Sequence, residues 1–399
     1  MKKILLALAL VFIPAIASAQ TEIVVWHAYR GGEKTAFEKV VSQYNASQKK
    51  IKVSALAVPY DAFADKITAA VPRGKGPDIF IYAQDRLGGW VTAGNTIEPI
   101  DFYLDKALKD RFIPSTLQAM TYRKTIYGLP LNYKVMTMIY NKALVKTPPK
   151  TTGELVKIAK ANTNAASGRF GLVYWYSNWY YHAPLFNGFG GGVFDAAGKP
   201  IVNNAGNVKS VDLLMRWANA DKILPAEPST ALITSLFNEG KAAIVFSGPW
   251  FLEEVSPKIQ YGLALLPTID EAGGKPMRPW MTVEGVYIAA PSKKKDQAFE
   301  FAKYLTDNAA SKVLALEGSQ SPANRRVYND AQVAANGVLK AFRAQVDRAV
   351  PMPNVPEMTL MWSPVTTAMN SIVQKTSKTK AAFDKAQQEV VAGIAKLKK

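Results

Sequence analysis

Apolar and polar positions along the first third of the chain predict an alternation of strands and helices. Ile23 to Trp26 has the pattern of a strand, and a helical pattern with one apolar face follows it. Ile51 to Val58 predicts a second strand, Asp61 is the expected N-cap of a second helix, and Ile79 to Ala83 predicts a third strand. This order and spacing predict a parallel sheet covered by helices on both faces.

The alternation resumes after Pro130 and predicts a second α/β unit. The further predicted strands are Val135 to Asn141, Gly171 to Trp175, Ala242 to Phe246 and Glu284 to Ala290. The further predicted helices are Gly153 to about Ala161, Val211 to Ala218, Thr230 to Glu239, and one from about Lys378 onward. Because 399 residues are too many for one small core, two domains are expected.

The end of the third predicted strand carries the most informative side chains. Tyr82, Asp85 and Arg86 lie where the buried run Ile79 to Ala83 gives way to a helical segment. In open α/β sheets, ligands bind at the carboxyl ends of the strands. A flat ring beside a carboxylate and a guanidinium suits a sugar, which has an apolar face and an edge of hydroxyls. A surface ion pair beside a packing aromatic would give the same sequence.

Aromatic residues are also concentrated at predicted turns elsewhere. Residues 175–181 read Trp-Tyr-Ser-Asn-Trp-Tyr-Tyr, Trp250 follows Gly248-Pro249, and Trp362 precedes Ser363-Pro364. A single tryptophan at a turn usually fills a core. Several of them in separate turns favour a stacking platform, because rings at turns are hard to bury together.

The amino terminus has the pattern of a cleaved secretory signal. Lys2 and Lys3 precede an apolar run from Ile4 to Ile16, and Ala17-Ser18-Ala19 offers a small-residue cleavage site. The apolar run is shorter than the roughly 20 residues needed to span a bilayer. The chain has no cysteine, hence no disulfide and no lipid-bearing cysteine after the signal. The sequence therefore predicts export to the periplasm, with cleavage after about Ala19.

The balance of charge is strongly basic. The formal net charge is +18, and it falls to +16 once Lys2 and Lys3 leave with the signal. The lysines are scattered, and no basic run is interleaved with aromatics as single-strand binding requires. We therefore expect a solvated basic surface and no nucleic acid partner.

Motifs for catalysis or metal binding are not found in the sequence. Two histidines lie far apart, and neither metal-ligand spacing nor a nucleophile elbow occurs. A glycoside hydrolase needs two facing carboxylates; Asp65 and Asp85 could pair, but nothing singles them out as acid and base. We expect a binding protein without a cofactor, and a secreted glycan-active enzyme is the weaker alternative.

Seven short motifs in order resemble the periplasmic maltose- and maltodextrin-binding proteins of sugar ABC transporters. They are Gly-Pro-Asp-Ile at 76–79, Asp-Arg-x-Gly-Gly at 85–89, Ile-Tyr-Asn-Lys at 139–142, Phe-Asn-Glu-Gly-Lys at 237–241, Gly-Pro-Trp at 248–250, Tyr-Gly-x-x-x-Leu-Pro-Thr at 261–268 and Met-Pro-Asn-x-Pro-x-Met at 352–358. The resemblance covers nearly the whole mature chain. It implies the α/β, two-lobed periplasmic binding protein fold, with each lobe a sheet flanked by helices and a ligand cleft between the lobes.

The resemblance also implies where the signal peptide, the two lobes and the hinge crossings begin and end. Residues 1–19 would be the signal peptide. The N-terminal lobe would comprise 20–132 plus 284–331, and the C-terminal lobe 137–278 plus 340–399. Hinge crossings are expected at 133–136, 279–283 and about 332–339.

Site residues are implied by matching positions. Tyr82 stands where the family has a cleft tryptophan, and Asp85 and Arg86 match its hydroxyl-binding pair. Asp65 falls at a position that is acidic in the family. The aromatics that the second lobe lays against glucose rings match Tyr180, Trp250 and Trp362.

Several positions depart from the family pattern and leave the ligand open. Arg30 replaces an acidic residue, Gly31 a lysine and Thr366 an arginine, while Lys134 and Asn178 replace two glutamates. Acceptors of sugar hydroxyl protons have thus become donors or neutral amides. The expected ligand is a neutral maltodextrin-like glucan. A different neutral oligosaccharide, a larger or cyclic glucan, or an anionic sugar paired with Arg30 and Lys134 remains an alternative.

The function implied by the resemblance is capture without chemistry. A monomeric protein would close around an oligosaccharide and deliver it to an inner-membrane ABC permease. A chemoreceptor-docking role stays open beside transport.

Overall fold

The computed structural model describes residues 20–397, so the predicted signal peptide 1–19 lies outside the described residues. Within them the strands are β1 (Thr21–His27), β2 (Ile51–Ala57), β3 (Ile79–Ala83), β4 (Thr121–Tyr122), β5 (Thr125–Ile126), β6 (Gly128–Val135), β7 (Thr137–Asn141), β8 (Phe170–Val173), β9 (Ala242–Ser247), β10 (Tyr261–Ala264), β11 (Thr268–Ile269), β12 (Lys275–Pro276), β13 (Trp280–Ile288), β14 (Ser321–Pro322) and β15 (Val350–Pro351).

Helices surround these strands. They are α1 (Gly31–Ser47), α2 (Tyr60–Ala70), α3 (Leu87–Ala93), α4 (Lys106–Lys109), α5 (Pro114–Ala119), α6 (Thr152–Asn162), α7 (Trp179–Gly188), α8 (Ala205–Asn219), α9 (Thr230–Asn238), α10 (Pro249–Leu252), α11 (Lys295–Leu305), α12 (Asn308–Glu317), α13 (Ala331–Ala335), α14 (Gly337–Val346), α15 (Trp362–Val373) and α16 (Thr379–Leu397). Among residues 20–397, no helix combines the length and apolarity that crossing a membrane requires.

The larger sheet has seven strands. Strands β1, β2 and β3 are parallel, with β1 in the middle, as the strand–helix alternation predicts. The order of the whole sheet is β14-β6-β13-β3-β1-β2. The pairs β14–β6, β6–β13 and β13–β3 are antiparallel, and β15 pairs in parallel with the start of β13. One hydrophobic core packs against this sheet, from Ile23 near the amino end to Ala323.

The smaller sheet has four strands in the order β10-β7-β9-β8. Strands β8 and β9 are parallel, whereas β7 is antiparallel to both β9 and β10. Apolar side chains of successive β7 residues point to opposite faces, so Met138 enters one core and Ile139 another. The second lobe is therefore a sheet with a core on each face.

The start of α2 differs from the prediction. The N-cap is Pro59, with φ −52° and ψ 135°, and Asp61 lies inside the first turn. The N-cap assigned to Asp61 is therefore wrong by two residues. The fixed φ of proline holds the chain extended immediately before the helix, and Asp61 in the first turn still complements the positive end of the helix dipole. Tyr60 thereby becomes the first helical residue.

Two long strands pass from one core to another. Along β6, Tyr133 packs in the first-lobe core, while Met136, just beyond the strand, packs in a second-lobe core. Along β13, Trp280 belongs to the second-lobe core and Val283 to the first. We propose 133–136, 279–283 and about 332–339 as the hinge residues, with lobe boundaries as given above.

A further segment near position 354 ties the first lobe to the element that precedes Trp362. The Gln84 side-chain amide donates to the Met352 carbonyl (3.1 Å), and the Gly88 N–H donates to the Asn354 carbonyl (2.9 Å). The Asn354 side chain donates to the Ala119 carbonyl (2.9 Å). The lobe boundaries predicted from the sequence did not anticipate that the chain near position 354 comes back into contact with the first lobe.

Helix α3 and the segment around Asn354 are in close contact at Gly88. A Cβ atom at Gly88 would lie 2.5 Å from the Asn354 carbonyl oxygen and 2.7 Å from the Pro356 nitrogen. Gly88→Ala should therefore lower the free energy of unfolding by about 1–3 kcal/mol, although alanine is the better helix former. Urea unfolding measures the change. Gly337→Ala, which introduces a Cβ with nothing within 4 Å, is the control and should not destabilise. Equal stability of the two variants would contradict the close fit.

Candidate functional site

The carboxyl ends of β1, β2 and β3 meet at one edge of the larger sheet. Tyr29 follows β1, Tyr60 follows β2, and Asp85 follows β3. Because parallel strands end at the same edge, these three side chains lie on one rim. This rim is the first-lobe wall of a cleft.

Asp85 and Arg86 occupy a single 3₁₀ turn, Gln84–Arg86, directly after β3. Arg86 Nε lies 3.3 Å from the Asp85 carboxylate, and the Asp85 side chain is buried. Burial raises the pKa of Asp85 to about 6, outweighing the opposite effects of Arg86 and of the nearby Trp362 indole. Asp85 is therefore a desolvated carboxyl group beside Arg86, and Trp362 brings the second lobe to it.

Tyr82 is placed differently from the expectation. Its ring is 6% exposed and stacks on Phe63 (5.1 Å, 2°) and on Tyr60 (5.4 Å, 26°), with Trp90 at 5.9 Å. Strand β3 is buried along its whole length, so a side chain at its end is covered by the flanking helices. The expectation that Tyr82 offers a ring face to a ligand is not what the structure shows; it supports Tyr60 instead.

Four aromatic rings of the second lobe form a row. The ring centroids are 6.1 Å apart from Trp250 to Tyr180, 6.2 Å from Tyr180 to Trp280, and 5.9 Å from Trp280 to Trp362. Tyr180, Trp250 and Trp362 are only half-buried. The structure thus brings the three predicted aromatics together and adds Trp280, which the sequence analysis did not select.

Local structure fixes the rings in place. Asn178 is the N-cap of α7, and its side-chain oxygen accepts from the Tyr180 N–H at 2.9 Å. Trp250 lies in α10 directly after Gly248-Pro249, and its indole N–H donates to the Tyr181 hydroxyl at 3.0 Å. Asn178 therefore acts on the row through the backbone, by setting where α7 begins.

Three polar atoms around the cleft have no hydrogen-bond partner among the described residues. They are Arg86 Nε, the Tyr180 hydroxyl and the Trp362 indole nitrogen, all buried. An unsatisfied buried polar group costs about 1–3 kcal/mol, so native proteins rarely leave one without a partner. Arg86 Nε and the Trp362 indole nitrogen lie near the Asp85 carboxylate without forming a well-aligned hydrogen bond to it, so all three atoms could bind hydroxyls of a ligand.

Lys134 belongs to a buried ion cluster with Glu33 and Glu284. Its ammonium lies 2.8 Å from the Glu33 carboxylate and 3.2 Å from that of Glu284. Tyr29 and Asn132 each donate to the other Glu284 oxygen at 2.9 Å. Although burial lowers the pKa of Lys134, Glu284 and Glu33 together raise it above its ordinary value. The ammonium is therefore charged and paired with two carboxylates.

The position of Glu284 depends on a β-bulge. Asn132 pairs with Glu284 and Pro130 with Gly285, so Leu131 is the extra residue in β6. Bulges re-aim side chains beside functional sites. Here the bulge lies beside the residue that pairs with Lys134.

Arg30 and Asp65 also have defined places. Arg30 is 64% exposed and forms an ion pair with Glu254 at 2.7 Å, across the cleft. Lys134 is also paired, so both cations predicted at the cleft have carboxylate partners within the protein. Asp65 is exposed on α2, and residues five apart on a helix point about 140° apart. The structure therefore turns Asp65 away from Tyr60 and the rest of the cluster.

The comparisons with known proteins agree with this architecture. Residues 30–312 match the model of the bacterial extracellular solute-binding protein family. The chain belongs to this family. A maltotriose-binding protein of Pyrococcus abyssi is 30% identical over 382 residues, covering 94% of this chain and 82% of the relative. A galactooligosaccharide-binding protein of Bacillus subtilis is 29% identical, covering 93% of this chain and 89% of the relative.

Solved structures share the fold. A Thermus thermophilus maltotriose-binding protein bound with maltotriose has a TM-score of 0.85 at 26% identity, covering 93% of this chain and 100% of that chain. The maltose/maltodextrin-binding domain of Bdellovibrio bacteriovorus has a TM-score of 0.87 at 24% identity, covering 94% of this chain and 100% of that chain. The predicted two-lobed α/β fold and the resemblance to maltodextrin-binding proteins are confirmed.

Sequence reasoning missed Glu33, Glu284, Trp280 and Tyr60. The rule that placed Asp85 at a carboxyl end also applies to Tyr60, which follows the end of β2, so a signal was present. Glu33 and Glu284 gave none, because only the folded chain brings them to Lys134. Among residues 20–397, no group of three or more histidine, aspartate or glutamate side chains is placed to hold a metal.

Removing the charge of Lys134 should be costly. Lys134→Met leaves two buried carboxylates unpaired, and we expect a loss of about 3–5 kcal/mol in the free energy of unfolding. Lys39→Met is the matched control, since Lys39 pairs with Glu317 at 2.7 Å but both side chains are about half exposed; it should cost at most about 1 kcal/mol. Urea unfolding of both variants measures the difference. Equal losses would contradict the buried cluster.

Proposed function

We propose that the protein is the binding component of an ABC transporter for maltooligosaccharides. It captures a neutral glucan of the maltotriose class in the periplasm and delivers it to an inner-membrane permease. The observation that carries the proposal is the row of four aromatic rings beside the buried Asp85–Arg86 pair.

The chemistry of the two walls is complementary to glucose units. Aromatic rings stack on the apolar faces of the sugars, and Asp85 accepts hydroxyl protons while Arg86 donates. The unpartnered Tyr180 hydroxyl and Trp362 indole nitrogen supply further polar contacts. The three partly exposed rings, Tyr180, Trp250 and Trp362, lie in one row with the buried Trp280 and offer more than one stacking position, which favours an oligosaccharide over a single sugar.

The charge of the cleft favours a neutral ligand. Arg30 and Lys134 would have to pair with an anionic sugar, but each is already paired with protein carboxylates. The names of relatives also support a neutral glucan, since the Pyrococcus abyssi protein is called maltotriose-binding and a Streptococcus pneumoniae relative is a maltooligosaccharide-binding lipoprotein.

Capture follows from closure of the two lobes. Arg30, at the start of α1, contacts Glu254, which closely follows the α10 helix that carries Trp250. A sugar that touches both walls stabilises the closed arrangement by its higher affinity for it. We propose that a monomer, exported and cleaved after about Ala19, performs this step and that the chain itself catalyses no reaction.

Removal of either terminal ring of the row should weaken binding. Trp362→Ala and Trp250→Ala should each reduce the affinity for maltotriose by more than about 1 kcal/mol, because each removes a stacking face. Isothermal titration calorimetry measures the change. Phe102→Ala removes an aromatic that is 72% exposed outside the row, and it should bind as the unsubstituted protein does.

Binding of neutral and anionic trisaccharides, and hydrolysis of a glucan, are measured with the unsubstituted protein. Binding of maltotriose that hardly changes with salt, with no binding of a uronate or sulfated trisaccharide, is the expected result. Binding of the anionic sugar alone would replace the neutral-glucan proposal. Reducing ends released from a glucan over hours would instead indicate an enzyme.

The pH dependence of binding should report Asp85. Since the raised pKa of about 6 means that the carboxylate predominates only above that value, affinity for maltotriose should fall about tenfold from pH 7 to pH 5. The unliganded protein has the opposite dependence on this group, whose contribution to stability is complete below the unfolded pKa and is lost as pH rises through about 6.

Asp85→Asn is the control for this pH dependence. This variant should bind more weakly at pH 7 and lose most of the change between pH 7 and pH 5. The same tenfold change in Asp85→Asn would assign the titration to another group.

A further inference from the structure

We propose that Tyr60 is the stacking ring of the first lobe, packing against the sugar that Asp85 and Arg86 hold. The inference rests on the proposed function and extends it to a residue that none of the matched motifs contains. It gives the first lobe an aromatic contact that the covered ring of Tyr82 cannot supply.

The exposure of the two tyrosines separates their roles. Tyr60 is 56% exposed, whereas Tyr82 is 6% exposed. The Tyr60 ring lies nearly parallel to that of Tyr82, at 5.4 Å and 26°, and Tyr82 is parallel to Phe63 at 5.1 Å and 2°. Tyr60 is therefore the outer member of a supported stack of three rings.

The position of Tyr60 places it on the cleft wall. It is the first residue of α2 and the third after β2, at the edge of the sheet where Asp85 follows β3. Burial of its hydroxyl end, and then the neighbouring Tyr82 and Asp85, raise the pKa of Tyr60 well above its ordinary value. The hydroxyl thus lies beside that of Tyr82, while part of the ring remains open to solvent.

A comparison with Phe102 shows that exposure alone is not the argument. Phe102 is 72% exposed, but it contacts Tyr103 at 3.9 Å, which in turn stacks on Phe299 of α11 at 4.3 Å. That aromatic group lies away from the carboxyl ends of β1, β2 and β3. Tyr60 differs because its supporting ring is at the end of β3, three residues before Asp85.

A stacking ring on this wall has a physical use. The row from Trp250 to Trp362 belongs to the second lobe, and the first lobe contributes Asp85 and Arg86 as polar groups. Trp362 lies beside Asp85, and Tyr60 stacks on Tyr82, three residues before Asp85, so a sugar held there would have an aromatic ring from each lobe. Contacts from both lobes favour closure, because only the closed arrangement satisfies them together.

Calorimetry with maltotriose on a set of Tyr60 variants tests the proposal. Tyr60→Ala should weaken binding about tenfold, the upper range for one aromatic contact. Tyr60→Phe and Tyr60→Trp should stay within about threefold of the unsubstituted protein, since both keep a flat ring. Tyr60→Leu still covers Tyr82 but has no ring, so it should bind about as weakly as Tyr60→Ala. Phe102→Ala is the exposed-aromatic control and should leave affinity unchanged.

The outcomes separate this proposal from the broader one. If the unsubstituted protein binds maltotriose and Tyr60→Ala binds equally well, the role of Tyr60 is overturned and the proposed function stands. Loss in Tyr60→Phe equal to that in Tyr60→Ala would assign the effect to the hydroxyl and overturn stacking. Full affinity in Tyr60→Leu would assign it to support of Tyr82. If the unsubstituted protein binds no glucan, the proposed function fails and the stacking role with it.

Discussion

The cleft depends on the buried cluster of Glu33, Lys134 and Glu284. These residues belong to α1, β6 and β13, so one ammonium holds a helix and both long crossing strands together. Two carboxylates and a cation away from water are stable only as a paired set, and the hydrogen bonds from Tyr29 and Asn132 complete it. The strands leave this cluster toward the second lobe, which makes it the fixed point from which the cleft walls are positioned.

Because of this cluster, the strongly positive net charge of the chain does not extend to the cleft. The net charge of +18 is carried largely by exposed lysines, whereas the cations predicted at the cleft, Arg30 and Lys134, each face glutamates. An anionic ligand would have to compete with those carboxylates and pay for their exposure. Stacking on Tyr180, Trp250 and Trp362 needs no charge, so the aromatic row and the paired cations favour the same class of ligand.

The sequence predicted the features that depend on local pattern. The apolar run from Ile79 to Ala83 marked β3, and its end located Asp85 and Arg86. The same run gave no information about which way Tyr82 faces, because a strand buried on both sides has no polar alternation. Lys134 was selected without its partners, since Glu33 is 101 positions away and meets it only in three dimensions.

The contact between Arg30 and Glu254 has a consequence for how strongly closure depends on the ligand. A pair this exposed contributes at most about 1 kcal/mol, which changes the ratio of shut to open molecules by roughly fivefold at most. The pair therefore adjusts the balance between open and shut protein only modestly, and a ligand that contacts both lobes can outweigh it. A stronger pair at the same rim would favour the shut form in the absence of ligand and so reduce the selectivity of closure for bound sugar.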